Sequence, residues 1–226
     1  MPATGKEGFA IENKVKLTFH PDFANEAELL KEKLATIHGL EVVSEAPVTV
    51  HLDYLPERET AVNGEYYRID TGNGLINISA STSHGIFNGT QTLLSLLKGQ
   101  EKPFRLEALS IRDYPDLPYR GQMLDIARNF TTVEHLKKLV DVISSYKLNV
   151  LHFHFSDDEG WRLEIPGLEE LTSVGARRDI PRMNWNVYIR ATMATMIRLQ
   201  LPPATDITPV KNLSIYCVMQ LKDMCV

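Results

Sequence analysis

Cysteine is nearly absent from this chain: Cys217 and Cys225 are the only two, both at the extreme C-terminus. They cannot form a framework for the whole chain, and they do not distinguish an oxidising from a reducing compartment. Long apolar runs are missing as well. No stretch approaches the roughly 20 residues that a membrane span needs, and the opening MPATGKEGFAIENK lacks the apolar centre of an export signal. Nor is there a basic run. Lys and Arg number 24 against 29 Asp and Glu, a formal charge of -5, which argues against nucleic acid or an anionic membrane as partner and suits a neutral ligand.

What remains is an ordinary globular composition, 43% apolar and 23% charged over 226 residues, enough for one large domain or two small ones. Four Asn-x-Ser/Thr sequons begin at Asn77, Asn88, Asn129 and Asn212. Motifs this short arise by chance and are compatible with export without arguing for it.

From residue 15 to about 113, strand and helix patterns alternate. Val15 to Phe19 reads as a strand. Asn25 to His38 reads as a helix with Ala27, Leu30, Leu34 and Ile37 on one face, stopped by Gly39. Val48 to Tyr54 and Tyr66 to Asp70 read as strands, and Gly72-Asn73-Gly74 as the turn into a hairpin partner at Leu75 to Ala80. A second helix follows Ser83, burying Ile86, Leu93, Leu94 and Leu97 and ending at Gly99. This is an α+β domain without a catalytic constellation. The stretch DYPDLPYRG, Asp113 to Gly121, carries two prolines and two aspartates and suits a linker.

Beyond it, Gln122 to Ala127 is a short apolar run, and Thr131-Thr132-Val133-Glu134 has the form of a capping box, with Glu134 reaching back to a free amide. The helix it opens buries Leu136, Leu139, Val140 and Ile143, wets Lys137 and Lys138, and places Lys147 at its C-terminal dipole. Val150 to Phe155 is the next strand. Strand, helix, strand with this apolar content is a βαβ unit with parallel strands. Ligands of such sheets and barrels bind at the carboxyl ends of strands. Arg128 and Asn129 end the first strand, and Ser156, Asp157 and Asp158 end the second, so they are expected as neighbours at one mouth.

Each of these residues has a plain alternative. Asp157 and Asp158 point to opposite sides of extended backbone, so at most one faces the mouth, and the plain alternative for a strand-end aspartate is to cap the following turn. With Arg128 beside it, an aspartate there can hydrogen-bond a polyol at several points. Trp161 is either core or a flat platform for a sugar. His152 and His154 share one face of their strand and are either buried inner-layer residues or, with Asp157, metal ligands.

The words YRGQMLDIARNF, YKLNVLHFHFSDDEGWRLEI and LTSVGARR, in order and at the expected spacing between Tyr119 and Arg178, resemble the start of the catalytic barrel of the family 20 glycoside hydrolases, the β-N-acetylhexosaminidases. The α+β region resembles the small non-catalytic domain of the same family. The resemblance implies an α/β fold: a small α+β domain over 1–115, followed from 116 to 182 by an incomplete (β/α)8 TIM-type barrel. It implies removal of a terminal β-linked N-acetylhexosamine with retention, assisted by the substrate's own acetamide, an aspartate that orients it and a glutamate as acid and base. The partner implied is a glycan or glycoconjugate ending in that sugar, with no cofactor, no metal, no nucleic acid and no membrane span. The resemblance also suggests export to a periplasmic, extracellular or lysosomal compartment, which the sequence itself leaves undetermined. Arg128 matches the residue that holds the ring hydroxyls. Asp157 matches the aspartate that orders a histidine supporting the catalytic glutamate, and Asp158 and Trp161 match supporting positions. His152 and His154 match the family strand, which favours packing over metal.

The family's catalytic aspartate-glutamate pair sits in a word like GGDE, and no such word occurs in these 226 residues. As this polypeptide, the chain is therefore expected to be inactive. Two other readings stay open: a metal-dependent hydrolase using His152, His154 and Asp157, and a non-catalytic sugar-binding protein using Arg128 and Asp157.

The tail, 183–226, changes character. It holds five of the seven methionines, both cysteines, two acidic residues and no glycine. If codons began at the third base of each present codon from Thr205 on, the same nucleotides would permit GYYTREEFIDILRYAAER. Tyr216-Cys217 then allows only leucine and Met219-Gln220 only alanine. That string is amphipathic and resembles the segment expected next in the family, so the tail reads either as an extension or as the product of a frame change soon after Pro181.

Overall fold

The computed structural model describes residues 7–56, 59–157, 160–177 and 197–198. The chain divides into two compact units, Met1–Pro118 and Tyr119–Val226. The expected tail lies outside the described residues, apart from one backbone strand.

In the first unit, β1 (Phe9–Ile11) and β2 (Lys14–Phe19) lead through a 3-10 turn, Pro21–Phe23, into α1 (Ala24–His38). Then come β3 (Glu41–Val43), β4 (Thr49–Tyr54), β5 (Tyr67–Gly72), β6 (Leu75–Ala80), α2 (Ser83–Leu97), β7 (Phe104–Leu106) and β8 (Ser110–Asp113). The main sheet runs β3-β2-β4-β6-β5-β8. Its β3, β2, β4 and β6 are mutually parallel, while β5 runs antiparallel to both β6 and β8. The tight hairpin between β5 and β6 needs positive φ at its centre, and Asn73 and Gly74 supply it at 53° and 75°. Both helices cover one face. Val50, Leu52, Tyr67, Ile69, Ile76 and Ile78 from the strands meet Leu30, Leu34, Ile86, Leu93 and Leu97 in one core. The period-2 alternation then leaves the opposite face polar: Thr18, His51, Asn77 and Asp70 are register neighbours across four strands.

Two helix details differ from the sequence expectation. Ile37 is 61% exposed, and the last buried position of α1 is His38, whose ring stands edge-on to Phe104 at 5.6 Å. Both residues lie one turn beyond Leu34, so spacing alone cannot choose between them. The left-handed Gly39 cap ends the helix, and Phe104 packs on the His38 side. Burial lowers the pKa of His38, which keeps it neutral there. The sequon at Asn88 is also closed to modification in the folded unit: that side chain is buried and donates to Glu65 Oε2 at 3.1 Å.

Glu26 is a further buried polar group of this helix pair, 3% exposed and with Oε2 unpartnered among the described residues. Burial raises its pKa above 4.5, and a hydrogen bond from Ser83 offsets this only in part. Between 4.5 and the raised value the folded chain holds a proton that the unfolded chain has shed. Stability therefore falls as pH rises through that window and stays lower above it. Glu26→Gln removes the ionisation and is expected to stabilise the chain on the order of 1 kcal/mol at pH 7. The gain should vanish below the ordinary glutamate value, as denaturant midpoints at the two pH values would show.

In the second unit, β9 (Gly121–Asp125), α3 (Val133–Ser145) and β10 (Val150–His154) form the βαβ unit, with β9 and β10 parallel and Phe153 paired with Leu124. Leu136 of α3 and Ile126 are buried against Leu124, Phe153 and Phe155, which places α3 on one side of the strand pair. The helix start is shifted by one residue from the expected box. Thr132 is the cap, accepting from the His135 amide at 3.3 Å, and Glu134 does not reach back but pairs forward with Lys138 at 2.7 Å. An i,i+4 ion pair competes directly with the box for that carboxylate. At the other end Lys147 takes the left-handed position, φ 59°, with its amide on the Ser144 carbonyl and that of Leu148 on Ile143, a Schellman closure without glycine. Then follow β11 (Ser156–Asp157), β12 (Gly160–Trp161), β13 (Leu163–Glu164) and the short α4 (Glu170–Ser173). A last strand, β14 (Ile197–Arg198), runs parallel to β13. Among the described residues no helix is long and apolar enough to cross a membrane.

Candidate active site

Because β9 and β10 are parallel, their carboxyl ends open on the same side. His154 is level with Asp125 in the register. The chain leaving β9 is hung on the end of β10: the amides of Ile126 and Ala127 both donate to the His154 carbonyl, at 3.1 and 3.3 Å. Asp125 Oδ1 accepts the amides of Ala127 and Arg128, each at 3.1 Å. This small ring folds the backbone so that the Arg128 side chain returns over the strand end.

There Arg128 meets two carboxylates. Nη1 donates to Asp125 Oδ2 at 2.6 Å and Nη2 to Asp157 Oδ2 at 2.5 Å. The same Asp157 oxygen lies 2.8 Å from His154 Nε2. Asp157 thus joins an arginine from one strand end to a histidine from the next. The hydrogen bond from Arg128 holds the Asp125 carboxyl below the usual aspartate value, and Asp125 in turn raises Arg128, with Asp157 adding to it. Arg128 and Asp125 are therefore both charged throughout the neutral range. The arginine side chain is 50% exposed. Its Nε and the outward hydrogens of both Nη groups have no protein partner among the described residues, so they are available to hydroxyls of a ligand.

Arg162 braces the loop that carries Arg128. Its Nε donates to the Ile126 carbonyl at 3.1 Å, Nη2 to Ala127 at 3.1 Å and Nη1 to Ala176 at 2.7 Å, and the guanidinium sits 5.7 Å from the Phe130 ring centroid. One planar cation therefore ties the loop carrying Arg128 to the segment after α4. Gly160, with φ 148°, makes room for it: a Cβ there would stand 2.8 Å from Arg162 Nη2 and 3.1 Å from the Ala127 carbonyl.

Of the residues singled out in the sequence, Arg128 and Asp157 stand in direct contact. Asp158 lies outside the described residues. Trp161 is half-buried and its indole N–H donates to the Leu163 carbonyl, so its polar edge is used by the fold. His152 is exposed rather than part of a buried inner layer, and only His154 joins Asp157. Among the described residues no three His, Cys, Asp or Glu side chains are grouped to hold a metal ion. Sequence reasoning left Asp125 and Arg162 out of the site. The signal for Asp125 was its place three residues before Arg128 at a strand end; for Arg162 there was no local signal, since its partners are 35 and 36 residues away.

Residues 2–114 match the family model "Glycosyl hydrolase family 20, domain 2", and residues 117–201 match "Glycosyl hydrolase family 20, catalytic domain". The second match runs past Arg178, the last residue of the family words. The chain is 41% identical over 147 residues to the N,N'-diacetylchitobiase of Vibrio harveyi, covering 64% of this chain and 16% of the relative. It is 36% identical over 156 residues to a beta-hexosaminidase of Vibrio vulnificus, covering 69% and 18%. It thus spans less than a fifth of the length of these relatives. Among solved structures, the GH20 exo beta-N-acetylglucosaminidase of Vibrio harveyi in complex with N-acetylglucosamine superposes with a TM-score of 0.64 at 36% identity, over 77% of this chain and 28% of that one. The GH20 beta-N-acetylhexosaminidase of Streptomyces coelicolor gives 0.59 at 30% identity, over 74% and 35%.

Proposed function

Because the chain belongs to glycosyl hydrolase family 20, we propose that it carries the small domain and the first barrel strands of a β-N-acetylhexosaminidase. The substrate is a glycan ending in a β-linked N-acetylhexosamine. Arg128 holds hydroxyls of the terminal sugar, and Asp157 with His154 forms the charged relay beside it that in the whole barrel orders the acid-base machinery. The observation that supports this most directly is the shared Asp157 oxygen, 2.5 Å from Arg128 and 2.8 Å from His154. An anion between a sugar-facing cation and an imidazole fixes the position of both. Asp158 and Trp161 keep supporting roles in this reading.

The domain plan belongs to the same proposal: a non-catalytic domain over 1–115, the start of the barrel over 116–182, and a tail over 183–226 read out of frame. Sequencing the coding DNA beyond the Pro181 codon tests it. A one-base change there should restore a continuous hexosaminidase sequence containing the GYYTREEFIDILRYAAER segment. The restored enzyme should release nitrophenol from a nitrophenyl N-acetyl-β-glucosaminide, with Arg128→Ala lowering kcat/KM by roughly 10²–10³-fold. If no single-base change restores the family sequence, the frame reading falls. A restored enzyme without action on N-acetylhexosaminides would end the substrate reading.

A further inference from the structure

Across the β5-β8 edge of the first unit, Arg68 and Arg112 are register partners, two like charges where a sheet ordinarily avoids them. Glu59 lies between them. Its Oε2 is 2.7 Å from Arg68 Nη1, and its Oε1 is 3.3 Å from Arg112 Nε and accepts the Tyr66 hydroxyl at 2.6 Å. Asp70 closes the set, 2.7 Å from Arg68 Nε. Burial pushes Glu59 up, but Tyr66, Arg68 and Arg112 together outweigh it and leave the carboxyl below the usual glutamate value.

These groups border an open concavity of about 420 Å³, lined by Pro56, Glu59, Thr60, Tyr66, Arg68 and Arg112, a volume within the range of small-molecule sites. Glu59 in the lining and Asp70, which pairs with Arg68 outside it, offset the two arginines, so these four groups sum to zero among the described residues. The hydrogen-bonding capacity of the concavity is nonetheless not used up. Arg112, with a 61% exposed side chain, spends only Nε on the protein, and the exposed Thr60 hydroxyl makes no protein hydrogen bond among the described residues. Glu59 Oε2 accepts one bond and has a second lone pair.

Free donors beside a paired carboxylate, among four charges that sum to zero, match a ligand that is itself neutral and dense in hydroxyls. We propose that this concavity is a saccharide subsite of the small unit, taking a neutral pyranose whose oxygens accept from Arg112 and Thr60 and whose hydroxyl donates to Glu59. That the polyol is a sugar rests on the hexosaminidase reading; that it is neutral rests on the charge count alone.

The 226-residue chain, labelled with ¹⁵N, would be titrated with N,N',N''-triacetylchitotriose and separately with glucuronate. Shifts are expected at the amides of Glu59, Thr60 and Arg112, with Arg112→Gln weakening binding by at least about tenfold. Thr60→Val, which removes a hydroxyl but no ion pair, should weaken it in the same direction, and thermal unfolding would verify that both variants fold. No binding, binding indifferent to both variants, or glucuronate binding tighter than the trisaccharide overturns the subsite. Shifts confined to the surroundings of Arg128 also overturn it, while leaving the hexosaminidase reading intact. Failure of the restored enzyme to cleave N-acetylhexosaminides, with Arg112-dependent binding preserved, would instead end that reading and keep the subsite.

Discussion

Incubated with a chromogenic N-acetyl-β-glucosaminide, the purified 226-residue chain is expected to release chromophore no faster than buffer. A glycosidic oxygen is a poor leaving group until it is protonated, and a positioned general acid contributes roughly 10²–10⁴-fold by itself. The retaining route through the substrate's acetamide needs a second carboxylate to orient that group. No word like the family's GGDE occurs in these 226 residues. The carboxylates at the mouth do not substitute for its acidic pair. Asp125 is held ionised by Arg128, and Asp157 is committed to Arg128 and His154, so neither stands ready as a proton donor. An eight-stranded barrel also takes about 250 residues, whereas the second unit runs from Tyr119 to Val226. Turnover that disappears in Arg128→Ala would mean that a working acid exists within these residues and would refute this expectation.

Replacing Gly85 by alanine should lower the stability of the small unit by about 2 kcal/mol, against the sign that helix propensity suggests. Alanine in a helix interior gains about 1 kcal/mol over glycine. But α2 lies so close to the sheet at this point that a Cβ would stand 2.4 Å from the Tyr66 carbonyl oxygen and 2.6 Å from Ala80 Cβ. One of those atoms is backbone and the other belongs to a residue with no exposed surface, so the helix must lift. Lifting strips contact from Ile86 and Leu93, both fully buried, and overpacking of this kind costs about 1–3 kcal/mol beyond the propensity gain. Gly89→Ala should act the same way, since its Cβ would meet Ile78 Cγ2 at 2.5 Å. Thermal or denaturant unfolding of both variants decides the point. A variant more stable than the parent would show that propensity governs and that the helix is not seated this tightly.

Much of the architecture follows from local pattern. Period-2 runs such as Leu75 to Ala80 and period-3.6 runs such as Ile86 to Leu97 each carry their own burial face, and Asn73-Gly74 carries the positive φ that a tight hairpin requires. The strand-helix-strand around α3 and the placement of Arg128 and Asp157 at adjacent strand ends come from the same kind of signal, because parallel strands in a βαβ unit open their carboxyl ends together. The short edge strands β3 and β8 are three and four residues long. They carry too few alternations to announce themselves.

What the chain determines by itself is therefore the set of its elements, the face each one buries, and the residue types brought to the mouth. Tertiary structure alone decided between candidates that local pattern makes equivalent: His38 is buried over Ile37 because Phe104 lies on that side. It also decided that Arg162 braces the loop carrying Arg128 and that Arg68 and Arg112 face each other across Glu59. The physical reason is range. Backbone propensity and amphipathic spacing act over a few residues, whereas ion pairs and close packing select partners tens of residues apart, and those partners become neighbours only after the sheet has formed.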